Sequence, residues 1–334
     1  MDNKNIYCKQ NPNFDNKSII CETNTDKNFN SLFEVYTFKD ILYLASPNLK
    51  EKKIDIFELK PSSGFNLKLS IDNLENLITC IKYYKINKND YLLAIDNANR
   101  LKVWEIKNDS IYEPVNLIKN QNDEIINNLS IINTSPNNYL LSTNKETGNK
   151  CIKVFNLNDG NLSKTLTLTK SNLQTYYIYY WANKDDIYII ECCLYGVYIY
   201  NMNDELYVKI NDYEYDIAYY YCEVIYNKKG SDLLCICDSE GFITLYDLCN
   251  KKIKKKFRVD KPSYALNVWN DKNLIVSAKN KINIIDLDEN KIISSFHTNE
   301  KVVIKCIKKG ILNEKENLLF FAGNDGKIFL WKTK

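Results

Sequence analysis

The sequence comprises 334 residues, of which 45% are hydrophobic, and its mean hydropathy is −0.40. Such a chain can bury a sizeable core, and because no window reaches about eighteen uninterrupted apolar residues, we expect no membrane-spanning helix. The net charge of +3 and the pI of about 8.1 are too mildly basic to predict a partner among nucleic acids.

The aromatic and cysteine content of the sequence indicates its fold class and its cellular compartment. The 25 Tyr and 13 Phe, with abundant Ile and Val, favour β-strands. Most of the 11 Cys fall within predicted strands, and no pair of Cys-x-x-Cys motifs is present, so we expect free thiols and no structural metal site. The N-terminus lacks the apolar region of a secretory signal. We therefore predict an intracellular protein, in the cytoplasm or the nucleus.

The chain begins with a polar segment that carries no strand pattern. We expect a flexible tail over residues 1–13 and a single domain over residues 14–334, since no linker interrupts the remainder. Lys17–Glu22 precedes the first regular unit and contains a short apolar run, which predicts a strand.

A strand that ends on a large apolar residue recurs along the chain. The seven key residues are Phe57, Trp104, Phe155, Tyr200, Tyr246, Ile285 and Trp331. Their spacing ranges from 39 residues (246 to 285) to 51 residues (104 to 155) and averages about 46, a period typical of repeat architectures. The pattern therefore indicates seven repeated units.

The first six units each contain four candidate strands, named a to d in chain order, and the seventh contains the first three. Apolar residues run almost continuously through the a and b strands, as in LITCIKYY (77–84) and DLLCICD (232–238). The d strands are more polar, as in PVNLIK (114–119) and KIISSF (291–296). Continuous apolar runs are typical of strands covered on both faces, whereas polar strands are typical of a solvated edge. This gradient predicts four-stranded sheets stacked radially around an axis.

The seventh unit is the clearest of the set. Its strands, Leu318–Ala322 and Lys327–Lys332, flank Asn324-Asp325-Gly326, and Asp-Gly between β-rich runs is a strong hairpin signal. The chain ends two residues later, so this unit lacks a fourth strand. We predict that the N-terminal strand pairs beside Lys327–Lys332 and closes the ring, because an unpaired edge would expose backbone donors and acceptors.

The sequence of strand, Asp-Gly turn and strand ending in Trp331 resembles the closing half of a WD40 repeat. In degenerate form the resemblance extends over residues 14–334, and it implies an all-β, seven-bladed β-propeller. It also implies a structural hydrogen-bonded set of His297, Asp325 and Trp331, although the family's Ser or Thr is replaced by Phe321. The function that it implies is that of a non-enzymatic scaffold for protein–protein interaction.

Residues with catalytic potential are scarce. His297 is the only His in the sequence, so no second His is present to complete a His-based metal site or to replace His297 as the base of a Ser-His-Asp triad. Carboxylate pairs such as Asp185-Asp186 lie in predicted turns, and no glycine-rich phosphate-binding motif is present. We expect a protein without enzymatic activity, metal or cofactor.

Aromatic residues in loops indicate a binding surface. Tyr195 lies in the b–c turn of the fourth unit, and Tyr213 and Tyr215 lie in the loop after its d strand. Arg100 occupies the b–c turn of the second unit, which opens toward the same face. Tyr and Arg are favoured interface anchors. We therefore predict that these residues bind a protein partner, and we expect a monomeric propeller within a hetero-complex.

The outer strand of the fifth unit carries a basic run over residues 251–258, which indicates an alternative function in binding an anionic membrane. The residues expected to contact the membrane are Lys252, Lys254, Lys256 and Arg258. The run is similar to the phosphoinositide-binding Phe-Arg-Arg-Gly motif of the PROPPIN family, but its second Arg and Gly are replaced by Val259 and Asp260. The competing interpretation is a solvated outer strand whose lysines discourage edge pairing.

Overall fold

The computed structural model describes most of the chain. The described residues are 19–22, 33–60, 64–86, 88–108, 110–119, 126, 128–134, 137–146, 149–167, 174–183, 186–202, 206–210, 217–227, 230–269, 272–298, 302–312, 316–324 and 327–332. Residues 1–13, expected to form a tail, lie outside them. All regular structure in the described part is β-strand, and it includes no helix long and apolar enough to cross a membrane.

The strands form seven antiparallel sheets of four strands each, which are the blades of a propeller. Blade 1 contains β2 (Glu34–Phe38), β3 (Ile41–Asn48), β4 (Lys53–Lys60) and β5 (Gly64–Ile71). Blade 2 contains β6 (Ile78–Ile86), β7 (Asn89–Asp96), β8 (Leu101–Asn108) and β9 (Ile111–Pro114). Blade 3 contains β10 (Asn128–Thr134), β11 (Asn137–Glu146), β12 (Asn149–Asn156) and β13 (Leu162–Thr167).

The remaining blades repeat this a-to-d order. Blade 4 contains β14 (Thr175–Asn183), β15 (Asp186–Cys193), β16 (Gly196–Asn201) and β17 (Leu206–Ile210). Blade 5 contains β18 (Tyr219–Ile225), β19 (Leu233–Asp238), β20 (Phe242–Asp247) and β21 (Lys252–Arg258). Blade 6 contains β22 (Leu266–Val268), β23 (Asn273–Ala278), β24 (Lys281–Asp286) and β25 (Lys291–His297). Blade 7 contains β26 (Ile304–Leu312), β27 (Glu316–Gly323), β28 (Lys327–Lys332) and β1 (Ile19–Glu22).

The N-terminal strand closes the ring, as the sequence predicts. In blade 7 the order is β1-β28-β27-β26, and β1 pairs antiparallel with β28. Ile19 lies opposite Phe329, and Glu22 lies opposite Lys327. The prediction of seven blades with an N-terminal closing strand is therefore confirmed.

The key residues of the repeat mark a recurring irregularity in the blades. In five blades the pairing of the c and d strands shifts register immediately before the key residue. These key residues are Phe57, Phe155, Tyr200, Tyr246 and Ile285. At each shift one residue of the d strand has no partner in the c strand, and an extra residue of this kind bends and twists the outer strand. The period read from the sequence is thus a period of blade geometry as well as of apolar residues.

The core is divided among the seven blade interfaces, each with its own cluster of buried apolar side chains. Blades 4 and 5 enclose Trp181, which is fully buried, stacks on Tyr188 and donates a 2.8 Å hydrogen bond from Nε1 to Asp232. Phe320 and Phe33 lie in the cluster between blades 7 and 1. Both faces of a blade are therefore covered by neighbours, which explains the nearly continuous apolar runs.

The d strand of blade 2 departs from the prediction. The sequence predicts this strand at 114–119, but β9 ends at Pro114. One further bond, from the Val115 N–H to the Val103 carbonyl at 3.0 Å, follows Pro114. Beyond it, Ile118 is buried in the cluster between blades 2 and 3, and the Lys119 N–H bonds the carbonyl of Gly160 in blade 3. The apolar residues of this segment thus serve a blade interface rather than an outer strand.

Candidate functional site

The top face of the propeller consists of the b–c turns and the connections from each d strand to the next a strand. Two of the turns are closed by a buried Asp that ends the b strand. Asp96 Oδ1 accepts hydrogen bonds of 2.9 Å from the backbone N–H groups of Ala98 and Arg100. Asp238 Oδ1 accepts two equivalent bonds of 2.9 Å in blade 5. One carboxylate thereby satisfies two backbone donors and fixes the turn.

The roles of Asp96 and Asp238 were not predicted from the sequence, in which the resemblance to the WD40 repeat implied a structural Asp at Asp325 of the last unit. The available signal is an Asp at the end of an apolar b strand, as in YLLAID (91–96) and DLLCICD (232–238). Burial raises the pKa of Asp238 above its ordinary value, while its two backbone N–H donors oppose that shift. Its burial marks it as a structural element of the turn.

Backbone hydrogen bonds link the b–c turns to the adjacent d–a connections. In each case the N–H of the residue at the turn bonds a carbonyl of the connection, at 2.7–3.0 Å. The bonds join Asn97 to Leu77, Tyr195 to Ile217, Ser239 to Ala218, Lys279 to Pro262, and Asn324 to Val303. The top-face loops described in blades 2, 4, 5, 6 and 7 are therefore tied together pairwise by their main chains.

Two of the predicted binding residues lie on this face. Arg100 is exposed at the end of the blade 2 turn. Tyr195 is half-buried in the blade 4 turn, with a φ of 72°. Blade 3 separates them, so they belong to different parts of the rim. Tyr213 and Tyr215 lie outside the described residues.

The predicted structural hydrogen-bonded set is only partly described. His297 is exposed at the end of β25, where it pairs with Lys281. Trp331 lies opposite Leu319 in the ladder of blade 7, and Asp325 lies outside the described residues. The set therefore stays a prediction. Within the described part of the chain, no three His, Cys, Asp or Glu side chains are grouped to hold a metal ion.

The cationic side chains of strand β21 lie in different environments. Lys252 and Lys254 are exposed. Lys256 and Arg258 instead lie over the ring of Phe242, at 4.4 Å and 5.2 Å from its centroid. Cations are attracted to the face of an aromatic ring, so these two help to hold the outer strand on its blade. The four residues do not form one uniform patch.

A groove of about 440 Å³ lies beside β21 between blades 5 and 6. It opens on the bottom face, which consists of the a–b and c–d turns. Apolar side chains line it together with Lys254, Lys255 and Asp288, and Asp288 forms an exposed ion pair with Lys272 at 3.4 Å. Asn290 adds a buried Oδ1 that has no hydrogen-bond partner in the described structure. The groove thus combines apolar and charged walls.

Charged side chains converge in the central channel, which the a strands surround. Lys308 of blade 7 forms an ion pair of 3.0 Å with Glu34 of blade 1. Lys309 donates a 2.7 Å bond to the carbonyl of Trp269, and Glu223 of blade 5 accepts a 2.9 Å bond from the Val268 N–H. Each of these contacts crosses from one blade to the next. The exposed edges of the a strands are therefore bonded partly by side chains of their neighbours.

Lys82 of blade 2 also reaches into the channel. Its ammonium lies 5.7 Å from the ring centroid of Tyr177 in blade 4, across the width of blade 3. Burial, and then repulsion from Lys308, lower the pKa of Lys82. Burial would also lower the pKa of Lys308, but the charge of Glu34 and other partners outweighs it and the pKa is raised well above its ordinary value. Burial raises the pKa of Glu223 to about 7.

Comparison with known proteins supports the fold. No family model matches the chain, and no curated protein matches it by sequence. Among solved structures, the crystal structure of BBS1N in complex with ARL6DN, soaked with lead, matches 93% of this chain and 94% of that chain with a TM-score of 0.68 at 12% sequence identity. At this identity the likeness concerns the fold alone. The chain is a seven-bladed β-propeller.

Proposed function

We propose that this propeller is a non-enzymatic scaffold that presents a binding site for a partner protein on its top face. The observation that carries the proposal is the set of top-face turns fixed by Asp96, Asp238 and the backbone bonds between loops. Loops that are ordered before binding lose little conformational entropy when a partner docks. Exposed Arg100 supplies an anchor of the type that interfaces favour.

Two further observations support this proposal. The BBS1N structure of similar fold was solved in complex with ARL6DN, which agrees with a propeller acting through a partner protein. The seven blades and the N-terminal closing strand support a divergent WD40 origin. For the compartment we propose the cytoplasm or the nucleus, because seven of the nine described free cysteines are buried as small apolar side chains.

Affinity purification from the native cell tests the site. The bait variant Arg100→Ala/Tyr195→Ala changes the top face, and Tyr226→Ala/Lys272→Ala changes an exposed Tyr and an exposed cation on the bottom face. We expect the first variant to lose partners that the unchanged protein and the second variant both retain. A purified partner should then bind the top-face variant at least about tenfold more weakly. Identical partner sets for both variants would contradict a top-face site.

The second candidate function is binding to an anionic membrane through β21. Lys252 and Lys254 are both exposed, Lys254 also lines the groove between blades 5 and 6, and this placement favours membrane binding. Flotation with vesicles that contain a phosphatidylinositol phosphate should then recover the protein, and Lys252→Glu/Lys254→Glu should abolish recovery. Lys272→Glu/Lys291→Glu, two exposed lysines of blade 6, is the matched control. Recovery of neither protein with these vesicles would exclude this function.

A further inference from the structure

The central channel contains a buried positive charge that the described residues do not neutralise. Lys82 is only 8% exposed. Its ammonium lies over the ring of Tyr177, and although the charge of Glu34 attracts it, no carboxylate within the described part of the chain forms an ion pair with it. A buried ammonium is costly unless a counter-charge or hydrogen-bond acceptors replace its water. Among the described residues, Lys82 thus has no hydrogen-bond acceptor.

The neighbouring carboxylates are already engaged. Glu34 pairs with Lys308 at 3.0 Å, and Glu223 accepts the N–H of Val268 at 2.9 Å. Within the described part of the chain, the three lysines Lys82, Lys308 and Lys309 therefore share the channel with these two acids. The group carries a surplus of positive charge even when both acids are ionised.

A second donor lies two residues along the same strand. The hydroxyl of Tyr84 accepts a 3.2 Å bond from the Ile131 N–H, and no acceptor for its own proton is found in the described structure. The charge of Glu34 raises the pKa of Tyr84 and the charge of Lys308 lowers it, so both charges act on its hydroxyl. Lys82 and Lys308 each lie four residues after the first residue of their a strand, beyond the same register shift, so they enter the channel at the same level, with Tyr84 two residues along.

We propose that the central channel binds a small oxyanion, a phosphate or a carboxylate, through Lys82, Lys308 and Tyr84. Ammonium and hydroxyl groups are donors, and oxyanions offer several acceptors in a small volume. The bound anion supplies the counter-charge that Lys82 lacks. With Glu34 and Glu223 ionised, the three ammonium groups exceed the two described carboxylates by a single positive charge, so we expect a single site.

Thermal unfolding in a chloride buffer free of oxyanions tests the proposal with inorganic phosphate as the probe. Phosphate should raise the melting temperature with increasing concentration, whereas sodium chloride at equal ionic strength should not. Acetate serves as the carboxylate arm, and a response to acetate but not to phosphate would assign the site to carboxylates. The absence of a specific response to either anion would overturn the proposal.

Variants on one strand distinguish this site from nonspecific anion effects. Lys82→Met should weaken phosphate binding at least about tenfold and should raise the melting temperature of the anion-free protein, because it removes an uncompensated buried charge. Lys85→Met changes an exposed lysine of the same strand and should leave the phosphate response intact. A full phosphate response in Lys82→Met would refute the assignment. If Lys82→Met does not fold, phosphorus-31 line broadening of phosphate by the unchanged protein decides, and its absence overturns the site.

Discussion

The ion pair between Glu34 and Lys308 joins blades 7 and 1, and breaking it should destabilise the ring. Lys308 Nζ lies 3.0 Å from Glu34 Oε2, with side chains 16% and 11% exposed, respectively. At that distance an effective dielectric constant of about 20 gives an attraction of about 5 kcal/mol. Desolvation of several kcal/mol per ion offsets this attraction. The intact pair therefore contributes little in net terms, but either ion without its partner is costly.

Three variants separate these contributions. Glu34→Gln keeps an acceptor beside Lys308 but removes the counter-charge, and we expect the free energy of unfolding to fall by about 3 kcal/mol. Lys308→Met leaves Glu34 without its partner and should cost about as much. The double variant should lose only about 1–2 kcal/mol, because neither ion remains buried alone.

Denaturant unfolding of the four proteins, combined as a double-mutant cycle, measures the coupling. The pair between Glu240 and Lys261 is the matched control, since its 2.9 Å distance is similar but its side chains are 41% and 58% exposed. Glu240→Gln should change stability by less than about 1 kcal/mol. Additive losses in the double variant, or a Glu34→Gln effect no larger than that of Glu240→Gln, would refute the reasoning.

Changes at three other places test the channel, a top-face turn and a blade interface. Burial raises the pKa of Glu223 to about 7, so the folded state retains a proton that the unfolded state has released. The free energy of unfolding should therefore fall by up to about 3 kcal/mol as pH rises from about 4.5 to above 7. Denaturant unfolding of Glu223→Gln should show a smaller fall over the same pH range. A pH profile of Glu223→Gln identical to that of the unchanged protein would contradict this assignment. Gly241→Ala should cost about 2 kcal/mol in thermal unfolding, because Gly241 has a φ of 76° and the added Cβ would lie 2.6 Å from a backbone carbonyl oxygen. Gly230→Ala is the control, within about 0.5 kcal/mol, and equal effects would count against the strain. Trp181→Phe removes the 2.8 Å bond to Asp232 and opens a cavity, so calorimetry should show that the free energy of unfolding falls by about 2–3 kcal/mol. A fall of less than about 1 kcal/mol would contradict this role of Trp181.

The blades could be predicted from the sequence because burial on both faces of a sheet requires nearly continuous apolar runs. Apolar a and b strands and a large apolar residue in the c strand repeat in every unit, and polar d strands follow in the first six. In five blades the large residue adjoins a register shift between the c and d strands. The exception in blade 2 arises because β9 ends at Pro114 and Ile118 packs in the interface with the next blade. An apolar run by itself does not distinguish an outer strand from a segment that covers an interface.

The channel residues could not be predicted in the same way. Glu34 and Lys308 are 274 residues apart and meet only because the ring closes. Lys82 and Lys308 each follow a register shift in their a strand, between Ile78 and Cys80 and between Ile304 and Cys306. Such a shift changes which side chains face the axis, so strand alternation counted from the sequence assigns them to the wrong side.

The pairing of β1 with β28 has a consequence for how the protein is made. Ile19 and Phe329 lie opposite each other, so the first described strand to leave the ribosome finds its partner only when the last one emerges. Blades 1 to 6 can each complete their own sheet during translation, but the final blade cannot. Until β28 has emerged, the open ring exposes the apolar surfaces that blades 7 and 1 later cover, and a chaperone that binds nascent chains would find its target there.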